Sequence, residues 1–398
     1  MSFEKLDNKR IEEILFFLEY NYFPDFDKPF VSPFWGNARS DDKHVFNSLL
    51  SIICSYLKDH NSDQIVVPLS GGLDSRILLA CAMEIKPLDK IKTFTYGLSN
   101  SYDMKIAQKI TKELDIAHKP VLMDNIKIDD IDFEDIVVAT EGKTTLFHTP
   151  NINEIKEYIS DDIILSGVMG DVVGGVHIKD TEKSDHSLHK AHLSFLNDKK
   201  SSDLKLYSPK QYLELFKDVN LNNEFELDAK DYLYFYHRYP KYYKPHIEYD
   251  DFNYCTPFLH RDFAINFLGK KVSFTERKKE YKKLINSALK SKLKDFPLKQ
   301  NFGARLEDNL FYINFRKSIN YFKRRYLNDK SHMNFYDPSN LVDLKFEKEL
   351  LESIKFISNL NNQLGNKLFS KKDLILQEKN YELSCNIISL QYIIKGIK

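Results

Sequence analysis

The sequence predicts an α/β protein with a doubly wound parallel sheet, followed by a mainly helical C-terminal part. Three observations carry that expectation. A β-branched run, Ile65-Val66-Val67-Pro68-Leu69, passes directly into Ser70-Gly71-Gly72-Leu73-Asp74-Ser75-Arg76 and then into the apolar stretch Ile77-Leu78-Leu79-Ala80. Strand-like and helix-like segments then alternate as far as Leu165, the pattern of a parallel sheet with crossover helices. A second apolar run, Ile163-Ile164-Leu165, ends in Ser166-Gly167 and leads to Asp171 and Gly174-Gly175, repeating the layout of the first.

Each element has its own signal. Arg10 to Glu19 carries Ile11, Ile14, Leu15 and Leu18 at helical spacing, and a Pro- and aromatic-rich stretch follows from Phe23 to Trp35. Val45 to Leu57 reads as an amphipathic helix leading to the first strand. After the glycine loop come a strand over Ile91–Tyr96, a helix over Met104–Leu114 and a short strand over Pro120–Met123. Helices near Ile131–Thr140 and Ile152–Ile159 precede the strand Ile163–Leu165. From about residue 185 the pattern turns mainly helical and rich in Lys, Asn, Tyr and Phe. These shifts divide the chain into a lead-in segment (1–60), an α/β core (61–185) and a helical part (186–398) that completes the acceptor site.

Composition narrows the function classes. The chain has 398 residues, with 29 Phe and 23 Tyr available for a sizeable core. Its 58 Lys and Arg balance 58 Asp and Glu, so there is no overall pull toward nucleic acid or acidic membranes. Five basic residues fall between Arg316 and Arg325, which reads as a solvated helix face. Cys54, Cys81, Cys255 and Cys385 are far apart, without metal spacing, and suit packing in a reducing compartment. No apolar run reaches transmembrane length and the first residues are polar and charged, so a cytoplasmic protein is expected.

The Ser-Gly-Gly-Leu-Asp-Ser string is the richest in chemistry. Two adjacent glycines leave bare N–H groups for an anion, and the following helix aims its positive N-terminal dipole at the same place. Ser70 and Ser75 add hydroxyl donors, and Asp74 adds a carboxylate able to hold Mg2+ beside a phosphate. No Gly-Lys-Ser/Thr follows, so the pattern is not a Walker A loop. Asp171, after the second loop, either shares that Mg2+ with Asp74 or caps the next helix.

The glycine loop resembles the pyrophosphate loop of the N-type ATP pyrophosphatases. Together, Ser70–Arg76, Thr93–Asp103 and Leu165–Gly175 resemble the synthetase domain of asparagine synthetase and β-lactam synthetase, over roughly residues 60–305. Gly97 and Asp103 match the second block, with Met104 in place of a glutamate, and His118 sits where the family has a histidine. Thr256-Pro257-Phe258-Leu259 is similar to a Pro-Phe-Leu-Asp element in which His260 replaces the aspartate. Glu276–Lys299, then Phe302-Gly303, is similar to the lysine-bearing loop, helix and tail.

The resemblance implies an adenine-nucleotide α-hydrolase-like fold and a ligase that activates a carboxylate as an acyl-adenylate for attack by ammonia or an amine. It implies ATP and Mg2+ as cofactors, with Ser70, Gly71, Gly72, Asp74 and Ser75 at the pyrophosphate. Thr95, Tyr96 and Gly97 would meet the adenosine, Gly167 would line the nucleotide site, and Asp74 and Asp171 would hold the metal. Lys279, by alignment of Leu284, Ile285 and Ala288, would be the catalytic cation, with Lys278 and Lys282 as register alternatives and a solvated basic loop as the competing reading. Small-molecule substrates, without nucleic acid or membrane, would be the partners, together with a separate glutaminase or pathway enzyme.

The departures are equally specific. Val168 and Val172 stand where the family has glutamates, Asn253 replaces another glutamate, and Cys255 replaces an arginine. ATP handling is expected to persist while acceptor recognition differs, which argues against aspartate and is similar to divergent relatives in surface-polysaccharide or peptide modification. Ser2 follows Met1, so the N-terminal nucleophilic cysteine of glutamine-dependent relatives is missing. Two further readings remain: a nucleobase- or tRNA-modifying ATP pyrophosphatase, and a nucleotide-binding scaffold without catalysis.

Overall fold

The structure is a computed structural model that describes residues 8–24, 45–124, 126–148, 152–159, 162–177, 228–248, 252–264, 266–268, 274–289, 292–327, 329, 343–360 and 381–396. The Pro- and aromatic-rich stretch beyond residue 24 and the segment 178–227 lie outside the described residues. In chain order the elements are α1 (Asn8–Tyr20), α2 (Val45–Asp59), β1 (Ile65–Pro68), α3 (Asp74–Ile85), β2 (Ile91–Gly97), α4 (Tyr102–Leu114) and β3 (Ala117–Leu122). Then follow α5 (Phe133–Ala139), α6 (Ile152–Ile159), β4 (Ile163–Leu165), α7 (Gly170–Val173) and β5 (Asn253–Cys255). Helices Phe274–Ala288, Leu310–Tyr326, Leu344–Leu360 and Tyr381–Gly396 belong to the C-terminal part.

The five strands are all parallel, in the order β3-β2-β1-β4-β5. Parallel strands need both faces covered, and β1 shows why its sequence is continuously apolar. Ile65 and Val67 point into the main core with α3, while Val66 joins Phe94, Val121 and Ile164 on the other face, against Ile155 and Ile159 of α6. Alternation of side chains along a strand makes one run serve two layers. The order reverses between β1 and β4, so the loops after these strands open a crevice at the carboxyl edge of the sheet.

Local signals explain most boundaries. Ser101 caps α4 by accepting from the Met104 amide at 3.1 Å, and Asp115 ends that helix in the left-handed region at φ 56°. Helix Tyr381–Gly396 is buried nearly all round and packs on Leu344–Leu360, α5 and α1. Its Asn386 amide satisfies the α1 terminus, donating to the Leu18 carbonyl (3.1 Å) and Asn21 Oδ1 (2.6 Å).

Two expectations are corrected. The strand expected at Pro120–Met123 runs from Ala117 to Leu122, because its ladder with β2 continues through Lys92↔Ala117 and Thr93↔His118. The sheet also has a fifth strand, Asn253–Cys255, within the part expected to be helical. Three residues are too few to show a period, and this strand exists through its pairing with β4. The sheet therefore draws on residues beyond 185, outside the 61–185 division.

Candidate functional site

The crevice is a cavity of about 660 Å³. Its lining includes Ser70, Gly72, Asp74, Ser75, Thr95, Tyr96, Gly167 and Asp171 among the residues singled out from sequence. Gly71 and Gly97 do not line it. Pro68, Phe94, Ile155, Ile247, Tyr254 and Phe302 supply apolar wall, a mixture usual for ligand pockets.

The glycine loop is held from within. The Ser70 and Ser75 hydroxyls lie 2.9 Å apart, the Ser70 amide donates to Ser75 Oγ (3.1 Å), and the Gly72 amide donates to Ser70 Oγ (3.1 Å). The Gly71 amide donates to Asp103 Oδ1 at 2.8 Å, so it faces the protein and not the cavity. The approach is close enough to favour glycine: a Cβ would stand 2.9 Å from Ile106 Cδ1, 3.2 Å from Lys299 Cβ and 3.3 Å from the Tyr102 carbonyl oxygen. Helix α3 begins immediately afterwards with no side-chain cap on its first turn. Its N-terminal amides and dipole are thus directed at the cavity, where an anion would meet them.

Asp103 links that loop to a cation. Its Oδ2 accepts from Lys299 Nζ at 2.6 Å, and the Lys299 amide donates to the Gly71 carbonyl at 3.0 Å. Lys299 is the one basic side chain among the described residues lining the cavity. Its segment is anchored by Arg76, which is fully buried on α3. The guanidinium donates to the carbonyls of Leu293 (3.3 Å), Phe296 (3.2 Å) and Pro297 (2.7 Å), and burial lowers its pKa to about 10.

Two carboxylates meet at the switch point. Asp74 lies against Gly170, where a Cβ would come within 2.7 Å of Asp74 Cγ. Its Oδ1 accepts from the Tyr281 hydroxyl at 2.5 Å. Burial first, and then the neighbouring Asp171 carboxylate, push Asp74 well above the usual carboxylate range. Asp171 Oδ1 accepts from the Val172 amide at 2.8 Å, and Met169 turns the loop in the left-handed region at φ 67°. Two adjacent carboxylates, with the one lining cation among the described residues committed to Asp103, fit a divalent ion that takes one or two carboxylates and fills its octahedron with phosphate and water.

Helix Phe274–Ala288 shows why Lys279 does not reach the site. Its buried face carries Arg277, Tyr281, Leu284, Ile285 and Ala288, and Lys279 lies on the opposite, exposed face, as does Lys282. Arg277 is not a free cation either. It makes a bidentate pair with buried Asp231 (2.7 and 3.1 Å) and donates to the Val173 carbonyl (2.6 Å) and the Val172 carbonyl. It thereby clamps the end of α7, the helix that bears Asp171. Burial raises the Asp231 carboxyl, but Arg277 and His177 outweigh it and hold the group at about 2.

The structure thus brings Asp74, Asp171, Ser70, Gly72, Ser75, Thr95, Tyr96 and Gly167 together and leaves out Lys279. Thr95 is tied internally, its hydroxyl donating to the Leu69 carbonyl at 2.6 Å. His118 sits within the sheet beside Thr93 (2.9 Å), with burial lowering its pKa to about 4. Sequence reasoning missed Lys299 and Tyr281 as site residues. The spacing Arg277, Tyr281, Leu284, Ile285, Ala288 already marks one helix face, and residue 279 falls about 200° from 277. Of the substituted family glutamates, Val168 lines the cavity, Val172 is buried behind it, and Asn253 is exposed at the start of β5.

Comparison with known proteins places this geometry in context. No curated protein matches the chain. Among solved structures, the U34-tRNA thiolase NcsA from Methanococcus maripaludis, with its [4Fe-4S] cluster, aligns over 71% of this chain and 74% of its own at 12% identity. Its TM-score of 0.26 carries no weight on fold or substrate. The family model described as Asparagine synthase matches residues 61–251, which include the glycine loop, Asp103 and the Asp171 loop. Residues 61–251 of this chain are an asparagine-synthase-like synthetase domain.

Proposed function

We propose that the protein is an ATP-dependent ligase that converts a carboxylate to an acyl-adenylate and then to an amide with ammonia or an amine. The observation that carries this reading is the uncapped start of α3, which itself bears Asp74, lining one crevice together with Asp171. The N-terminal amides of α3, with Ser70, Gly72 and Ser75, bind the β- and γ-phosphates that leave as pyrophosphate. Thr95 and Tyr96 border the adenosine. The substrate carboxylate oxygen attacks the α-phosphorus, the bond to the β-phosphate oxygen breaks, and the electron pair departs on pyrophosphate. Asp74 and Asp171 would hold Mg2+, which neutralises phosphate charge. Lys299 supplies the compact positive charge beside the loop, the position proposed from sequence for Lys279.

In the second half-reaction the amine nitrogen attacks the acyl carbon, AMP leaves, and the amine loses a proton. Val168 in the wall, and Lys299 as the one lining cation among the described residues, favour an acid without a second carboxylate. The decisive experiment is pyrophosphate release from ATP and Mg2+ in the presence of a panel of carboxylic acids, with AMP and amide followed by mass spectrometry. Production of ADP and phosphate, or AMP without any acyl product, would refute the ligase reading.

A further inference from the structure

Helix Phe274–Ala288 reaches both carboxylate-bearing loops of the crevice with two side chains one turn apart. Residues at positions i and i+4 share a helix face, and Arg277 and Tyr281 are both buried. Arg277 grips the backbone after Asp171 through the Val172 and Val173 carbonyls. Tyr281 grips the other partner, its hydroxyl donating to Asp74 Oδ1 at 2.5 Å. Asp74 lines the cavity and Tyr281 does not, so the phenol acts on a ligand only through that carboxylate.

The ring has a fitted seat. It lies on Gly174, where a Cβ would stand 2.7 Å from Tyr281 Cδ1 and 2.8 Å from Cγ. Gly174 has an ordinary helical φ of −67°, so its missing side chain makes room for the ring and relieves no backbone strain. Phe267 packs edge-on against the same ring, with centroids 5.7 Å apart at 71°. The second loop thus leaves two gaps for one hydrogen-bonded pair: Gly170 for the Asp74 carboxylate and Gly174 for the phenol.

On the proposed ligase reading, in which Asp74 and Asp171 hold Mg2+, we infer that Tyr281 is the positioning residue that fixes the Asp74 carboxylate for the metal. The two carboxylates repel one another, and one tethered by a hydrogen bond resists turning away. Mg2+ also tolerates little departure from octahedral geometry, so the direction of each ligand matters. Groups that hydrogen-bond a metal ligand typically carry about 10- to 100-fold in metal affinity.

The test is the ATP affinity of the full chain over a series of free Mg2+ concentrations, for wild type, Tyr281→Phe, Gly174→Ala and Asp74→Asn. Tyr281→Phe keeps the ring and removes only the hydroxyl. It should raise the midpoint Mg2+ concentration by about tenfold or more, with ATP affinity in the absence of Mg2+ within about twofold of wild type. Gly174→Ala, which displaces the ring, should raise the midpoint in the same direction, and it decides the matter if circular dichroism shows Tyr281→Phe to be unfolded. A folded Tyr281→Phe protein with the wild-type midpoint overturns the proposal, as does one that loses ATP affinity equally with and without Mg2+. If Asp74→Asn meanwhile loses the Mg2+ effect, the metal reading stands without Tyr281. An Asp74→Asn protein with the wild-type midpoint overturns both.

Discussion

Lys299 and Asp103 form an ion pair of 2.6 Å whose second carboxylate oxygen holds the Gly71 amide, so one aspartate joins the glycine loop to the cation of the cavity. The pair is only partly exposed, and the lysine is kept near the glycine loop by backbone contact as well as by charge. This coupling makes the loop and the segment 293–303 one structural unit, with Arg76 as its buried tie.

If Lys299 is the working cation, Lys299→Ala should lower pyrophosphate release by about 10²-fold or more. Lys279→Ala should remain within about twofold of wild type, since an exposed side chain on the far helix face makes no contact there. Single-turnover pyrophosphate release with the two variants in parallel checks this. Equal losses would return Lys279 to the site.

Asp74→Asn and Asp171→Asn should each abolish the Mg2+ dependence of ATP binding while preserving the fold. Calorimetric titration of ATP with and without Mg2+ is the measurement. An Asp171→Asn protein that keeps the full metal effect would leave Asp171 as a structural residue at the start of α7.

Gly71→Ala should destabilise the protein by about 1–3 kcal/mol through overpacking against Ile106. Adding Ile106→Val, which removes the Cδ1 atom in the way, should recover part of the loss. Urea unfolding of the single and double variants gives the comparison; no recovery would locate the strain at Lys299 Cβ or the Tyr102 carbonyl instead.

Arg277→Met should cost about 3–5 kcal/mol, because Asp231 would stay buried without its bidentate partner. The same pair sets an acid limit. Asp231 is held at about 2, below its unfolded value, so its stabilisation of roughly 2 kcal/mol is complete above about pH 4 and lost as pH falls toward 2. Asp231→Asn should flatten that part of a stability-against-pH curve. An unchanged slope would show that other carboxylates govern acid unfolding.

Much of the α/β core was legible because its determinants are local. Ile65-Val66-Val67 is apolar on both faces since both faces of β1 are covered, and Ser101 and Asp115 bracket α4 with groups whose cap chemistry is short-range. The glycine loop, Asp74 and the Ser166–Asp171 loop could be read for the same reason: each needs a few residue types in one short stretch of chain. Pairing partners far apart were not legible. β5 is a strand only because Ile163, Ile164 and Leu165 offer it an open edge some ninety residues earlier in the chain.

The sequence by itself determined the parallel sheet, the glycine loop ahead of α3 and the two acidic residues at the switch point. Tertiary structure alone decided which lysine enters the cavity. Lys279 and Lys299 have the same side chain and both follow motif-like surroundings, but the first sits opposite the buried Arg277–Tyr281 face of its helix. The second is drawn in by Asp103 and by the Arg76 contacts to Leu293, Phe296 and Pro297. A flexible ammonium goes where its backbone is anchored, and that anchorage comes from residues about 220 positions away.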